Sequence, residues 1–221
     1  METDKKCLIT QHLIESIRWY MEAPQSIIKA ERGGDGKTTW KQKAWKDLNR
    51  MLSREPSTFG VDAQNGMNFE KKVYEFANKD NRVGSAHFQE VCNSVKGMQF
   101  YKKEGKEFLV NDLKCYIHCK YDAILLPKLV DLKTTKTYKK GKYLNSVQHK
   151  LYCFVSSGSE FEYVVTEWEE YPIIKAVHRE KYIVENRQLL ETEVNMMVAD
   201  CLDNLINLDL WGLYRDVYCL Y

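Results

Sequence analysis

Asp122, Asp131 and Lys133 are the residues whose types and spacing could do chemistry in this chain. They lie within Tyr-Asp-Ala-Ile-Leu-Leu-Pro-Lys-Leu-Val-Asp-Leu-Lys-Thr-Thr, residues 121–135. Asp122 opens one apolar run, and Asp131 and Lys133 close the next. Charges that border buried strands are costly to desolvate unless they have partners. Two carboxylates that converge can share a divalent cation, and a lysine beside them can face the phosphate that the cation activates. The chemistry in question is metal-assisted hydrolysis of a phosphodiester. In a strand, residues i and i+2 share a face, so Asp131 and Lys133 project together while Val130 and Leu132 pack behind. Alone, such a pair is more often the ordinary salt bridge of a surface hairpin.

The elements that must position these residues follow from periodicity. Apolar residues at helical spacing predict helices over 8–20, 40–52, 68–77 and 85–95, with Pro24 and Gly97 as stops. The period then shortens. Runs at 98–101, 108–110, 113–117, 122–126 and 129–132 read as strands, with Glu104-Gly105 and Asn111-Asp112 as hairpin turns. Residues 144–155 return to helical spacing, with Leu144, Val147, Leu151 and Phe154 at core positions. Strands over 161–166 and 173–177 and a closing helix over 184–208 complete the order. The expectation is one α/β domain over residues 1–221, with an N-terminal helical part at 1–64 and a C-terminal helix over 181–221.

Composition narrows the setting. The apolar fraction of 44% and charged fraction of 29% belong to an ordinary globular protein, and a net charge of +2 announces no global field for a polyanion. Locally, six lysines and one acid lie between Lys128 and Lys142, a solvated loop or a phosphate-tracking edge. Seven widely spaced cysteines without a leader argue for reduced thiols in a cytosolic protein, and no apolar segment approaches the ~20 residues of a membrane span. Gly36-Lys37-Thr38 invites comparison with a phosphate loop, but that motif's leading glycine would fall on Glu31 and no apolar strand precedes it. Cys115, His118 and Cys119 could suggest zinc. On an alternating strand the two cysteines face one way and the histidine the other, so core packing is the better reading.

Asp122, eight intervening residues and then Asp-Leu-Lys-Thr-Thr resembles the core of the PD-(D/E)xK nuclease superfamily, in its RecB-type and lambda-exonuclease-like branches. Gln148-His149-Lys150-Leu151-Tyr152 supplies the Gln-x-x-x-Tyr signature that often follows in those branches. Residues i and i+4 share a helix face, so Gln148 and Tyr152 can act together on the active-site lysine or a DNA phosphate. The family also places a Glu on a helix before the sheet. Glu70 is the candidate, with Glu75 as its rival. Cys119, three residues before Asp122, departs from the Gly often found there.

The resemblance implies a restriction-endonuclease-like core over residues 65–180, a central mixed β-sheet flanked by helices. It implies Mg2+ or Mn2+ held by Asp122, Asp131 and the Leu132 carbonyl, with Glu70 binding directly or through water. Lys133 would position the nucleophile or stabilise charge, and Lys136, Lys139, Lys140 and Lys142 would follow the DNA backbone. The implied activity is exonuclease action on duplex DNA ends in recombination or repair, in a bacterial or phage-infected cytoplasm, with a single-strand annealing protein as partner. One branch forms ring-shaped trimers, so a homo-oligomer is compatible with the resemblance. A structure- or site-specific endonuclease, or a non-catalytic DNA-binding module, would use the same fold. Some relatives hold an iron–sulfur cluster, but Cys201 and Cys219 are too far apart in sequence and lack a third partner.

Overall fold

Local signals place the element boundaries. Thr39 caps the helix that follows it by accepting from the Gln42 N–H, while the Gln42 side chain accepts from the Thr39 N–H, a complete capping box. Asn111 and Asp112 both adopt positive φ, at 48° and 64°, the geometry of a two-residue hairpin turn. The computed structural model describes residues 5–29, 33–56, 60–79 and 84–220. In chain order the elements are β1 (Lys6–Ile9), α1 (Gln11–Glu22), α2 (Trp40–Leu52), α3 (Val61–Ala77), α4 (Ala86–Ser94), β2 (Gln99–Phe100), β3 (Lys103–Val110) and β4 (Leu113–Lys120). There follow β5 (Ala123–Leu125), β6 (Lys128–Thr135), α5 (Gln148–Ser156), β7 (Glu160–Glu170), β8 (Ile173–Ile183), α6 (Arg187–Asn207), α7 (Trp211–Tyr218) and β9 (Cys219–Leu220). Among the described residues, no helix is long and apolar enough to cross a membrane.

The chain divides into two compact units. The first comprises residues 1–56, 105–118 and 191–221. Its sheet runs β3-β4-β1-β9, with β1 parallel to β4 and antiparallel to β9. Leu13, Ile17, Leu48 and Leu52 from α1 and α2 are fully buried. Tyr214 and Tyr218 of α7 donate their hydroxyls to the carbonyls of Leu8 and Met51, at 3.1 and 2.8 Å.

The second unit comprises residues 57–104 and 119–190. Its sheet runs β2-β5-β6-β7-β8, and only β6 and β7 are parallel. Their crossover passes through α5. Val130, Leu132, Val164 and Trp168 face α3 and α4, packing on Phe69, Val73, Val91 and Cys92. The alternate residues Leu129, Asp131, Phe161 and Tyr163 lie on the other face, where the rings of His149 and Tyr152 on α5 meet Phe161. A mixed sheet with helices on both faces is the α/β architecture expected from the sequence.

Several expectations need correction. The helix expected over 8–20 gives its start to strand β1, because residues 7–9 pair with β4 and Thr10 caps α1 by accepting from the Leu13 N–H. Glu104-Gly105 is not a turn. Gly105 sits within β3, where an added Cβ would run into the ring of Tyr116. Leu144 lies before α5 and is exposed. Helix α3 begins seven residues earlier than expected, and α7 and β9 follow the helix expected to close the chain. Glu31, used to reject a phosphate loop, lies outside the described residues. Beyond it, Asp35 already occupies the N–H groups of Lys37 and Thr38.

Candidate active site

Strand β6 carries Asp131 and Lys133 on one face, as the alternation requires. Asp131 is 2% exposed, and the Lys133 ammonium lies 2.7 Å from its Oδ2. That oxygen has the ion pair but no hydrogen bond of good geometry. Gln148, at the start of α5, donates to the other oxygen, Oδ1, in a short hydrogen bond. Gln148 thus reaches the aspartate rather than the lysine. Tyr152 shares its helix face and donates to the Lys120 carbonyl at 3.0 Å, with its ring edge-on to Tyr121.

Asp122 sits just before β5 begins. The ladder between β5 and β6 pairs Ala123 with Val130 and goes no further, which leaves the Leu132 N–H without a strand partner on that side. The Asp122 carboxylate takes its place, with Oδ2 accepting from Leu132 N at 2.9 Å. In an antiparallel ladder a residue turns its N–H and C=O to the same neighbour, so the Leu132 carbonyl also faces Asp122. Glu70 is on α3 beside the buried Phe69 and Val73, and it accepts from the Tyr74 hydroxyl at 3.0 Å. Its rival Glu75 is exposed and paired with Lys79.

The electrostatics tie these acids together. Burial raises the Asp122 pKa well above the carboxylate range, and the charges of Asp131 and Glu70 raise it further. Glu70 is raised by burial and by Asp131, against the Tyr74 hydrogen bond and the two lysines Lys120 and Lys133. Burial works to lower the Lys133 pKa, but its contacts with Asp131 raise it overall. The charge of Asp131 thus reaches both Asp122 and Glu70, with the Lys133 ammonium opposing it. Among the described residues, no three His, Cys, Asp or Glu side chains are set closely enough to enclose a metal by themselves. The donors available to an ion are hard oxygens: the carboxylates of Asp122 and Asp131, the Leu132 carbonyl and Glu70 nearby. The excess negative charge and the un-hydrogen-bonded Oδ2 of Asp131 fit a divalent cation of the Mg2+ or Mn2+ kind.

The basic loop after β6 is fastened to the same sheet. Glu180 on β8 is buried, and it accepts from the Tyr138 hydroxyl, Gly141 N and Tyr143 N at 3.0, 2.9 and 3.1 Å. The Tyr138 ring stacks on His178 at 3.8 Å. Lys139, Lys140 and Lys142 are exposed along this loop, while Lys136 pairs with Asp62 at 2.9 Å. Lys128, at the other end of β6, belongs to Glu162 at 2.6 Å.

Sequence reasoning missed Tyr74, Lys120, Tyr143 and Glu180. Tyr74 stands four residues after Glu70 on one helix, the same spacing that singled out Gln148 and Tyr152. Lys120 stands two before Asp122. Tyr143 and Glu180 had no local signal, because register alone brings β8 to the loop.

Neither a protein-family model nor a curated protein matches the sequence. Solved structures do. The chain is similar to an alkaline exonuclease, LHK-Exo, from Laribacter hongkongensis (10% identity, TM-score 0.47), with 91% of each chain covered. LHK-Exo in complex with dAMP matches at 12% identity, with 94% of this chain and 92% of that one covered and a TM-score of 0.44. A phage-related exonuclease from Haemophilus somnus 129PT matches at 12% identity, 88% and 94% coverage, and a TM-score of 0.43.

Proposed function

We propose that the chain is a metal-dependent DNA nuclease acting as an exonuclease on duplex ends. The observation that carries this reading is the buried Asp131, paired with Lys133 and held by Gln148, with the Asp122 carboxylate anchored on the intervening residue Leu132. A module without catalysis has no need to hold three mutually repelling carboxylates together, since each costs folding free energy. Asp122, Asp131 and the Leu132 carbonyl would hold Mg2+ or Mn2+, with Glu70 contacting it directly or through water. A divalent ion there would supply an activated water and neutralise charge on the phosphate under attack.

The chain's own residues do the rest. Gln148 fixes one oxygen of Asp131, which leaves the other free to exchange partners. Lys133 gives its charge to the phosphate as that exchange occurs, or orients the attacking water. Tyr152 braces the segment that delivers Asp122. Lys139, Lys140 and Lys142 follow the backbone beyond the site, with Lys136 joining them if it releases Asp62. In the cell this activity would resect ends in recombination or repair in the cytoplasm, alongside a single-strand annealing protein.

Asp131→Ala and Lys133→Ala should each abolish cleavage while circular dichroism and Tm show an intact fold, and EDTA should silence the wild type. Full activity in either variant, or in EDTA, overturns the proposal. A covalently closed circle separates exonuclease from endonuclease, because only the latter cuts it.

A further inference from the structure

Tyr101 does nothing in the mechanism above, yet its geometry is unusual. Its φ is +55°, a left-handed conformation that a bulky residue rarely adopts and that Gly or Asn would take with less strain. It follows β2, and its N–H points at the Asp122 carbonyl at 3.4 Å, so the strained residue sits directly beside the segment that carries a candidate metal ligand. The ring is not turned inward, for the residue is 42% exposed. It packs at right angles to Tyr74, whose ring lies 4.7 Å away at 79° and whose hydroxyl is the one held by Glu70. Tyr74 is in turn stacked on Phe100 at 4.5 Å. The Lys120 ammonium lies 4.6 Å from the Tyr101 ring centroid.

An aromatic ring kept for packing would be buried, and a turn kept for its shape would not carry a tyrosine. What this backbone achieves is a solvent-facing ring held near the acids, with the Lys120 ammonium over one of its faces, so that a base would stack on the other or displace the ammonium towards a phosphate. That pairing suits a nucleotide, whose base stacks on the ring while a phosphate meets the ammonium. Resting on the nuclease reading, we infer that Tyr101 is a stacking platform for the nucleobase next to the scissile phosphate, with Lys120 taking a neighbouring phosphate. Every base has a π-face, so the subsite accepts all four and selects for an unpaired base rather than for sequence.

The test uses the full chain with Ca2+ in place of Mg2+, and a duplex whose terminal nucleotides carry 2-aminopurine, a base whose fluorescence falls on stacking. Wild type should quench it. Tyr101→Gly, which also relieves the left-handed strain, should lose the quench and bind DNA roughly ten- to a hundredfold more weakly, with a Tm equal to or above wild type. Tyr101→Phe and Tyr101→Trp should keep both. An abasic nucleotide at the same place should weaken wild type by a similar factor and leave Tyr101→Gly unaffected, an arm that holds even if one variant folds poorly. A wild-type enzyme that cleaves DNA yet loses nothing with the abasic end, or with Tyr101→Gly, overturns this inference alone. A wild type that neither binds nor cleaves DNA overturns it together with the nuclease reading.

Discussion

Asp131 and Glu180 stand in one row across the second sheet, because the register pairs Asp131 with Tyr163 and Tyr163 with Glu180. Both are buried carboxylates on the same face, two strands apart, and they spend their charge in opposite ways. Glu180 gives its two oxygens to three donors of the basic loop. Its neighbours follow suit. Glu167 is held below the carboxylate range by His178 and Lys175, and Glu162 by Lys128 and Arg179 in spite of burial. On the Asp131 side burial pushes Asp122 and Glu70 up instead, and the charge of Asp131 adds to both shifts. One half of the sheet uses its carboxylates to fix the fold. The other half keeps Asp122 and Glu70 buried near the Asp131–Lys133 pair, at a cost that a bound cation would offset.

The sharpest way to break that comparison is to neutralise one acid on each side. Asp131→Asn should lower metal-dependent cleavage on the order of 10³-fold or more, the several kcal/mol that metal ligation contributes, while Tm stays within a few degrees. If it unfolds the protein and leaves residual activity high, the contrast is wrong. The next effect comes from His149, which lies under the middle of the row with Nδ1 3.0 Å from the Tyr163 hydroxyl. Burial, helped by Lys150, lowers its pKa from 6.5 to about 4. The folded state holds the neutral ring, so its contribution is complete above the unfolded pKa and is lost as pH falls from 6.5 towards 4. In urea unfolding, the stability difference between wild type and His149→Gln should change by about 3 kcal/mol over that window.

Asp122 has the opposite sign. Its folded pKa lies above its unfolded one, so the metal-free protein loses stability as pH rises past the ordinary carboxylate range. Asp122→Asn keeps an oxygen for the Leu132 N–H and removes the charge. At neutral pH it should raise the metal-free Tm by about 2–4 °C, the shift that ~1 kcal/mol produces in a chain of this size. Mg2+ should then no longer stabilise the variant. A lower metal-free Tm would place Asp122 with the carboxylates that fix the fold.

The sequence made the Asp131 side legible because its residues are local. Asp131 and Lys133 share one strand, Gln148 and Tyr152 one helix turn, and α2 has the bounds that its periodicity and capping box set. Glu70 is favoured over Glu75 in the sequence by its place beside the apolar stripe of Phe69, Val73 and Phe76. The Glu180 side was invisible, since its meaning depends on a strand register thirty-seven residues or more from the loop it holds. The same limit hid β1, four residues whose role is set by pairing with β4. Tyr101 was read as the end of a strand because nothing in residue type announces a left-handed tyrosine.

The smallest expected effect tests the Glu180 side directly. Glu180→Gln replaces one acceptor oxygen with an NH2 group. Either Tyr143 N, or Tyr138 and Gly141 together, then faces a donor, so the loop loosens whichever way the amide turns. The candidate metal ligands are untouched, so on the nuclease reading turnover at saturating DNA should hold while half-saturation rises about fivefold, the equivalent of ~1 kcal/mol. Lys139→Ala with Lys140→Ala should weaken binding through the same loop and lower the salt slope by about two, one for each phosphate that no longer meets an ammonium. If the loop acts as a rigid edge, adding Glu180→Gln to the lysine pair should cost less than the sum of the two, since a loop without its lysines has little left to position. Full additivity would mean that Glu180 only stabilises the fold, and that the basic loop needs no fixed place beside Asp131.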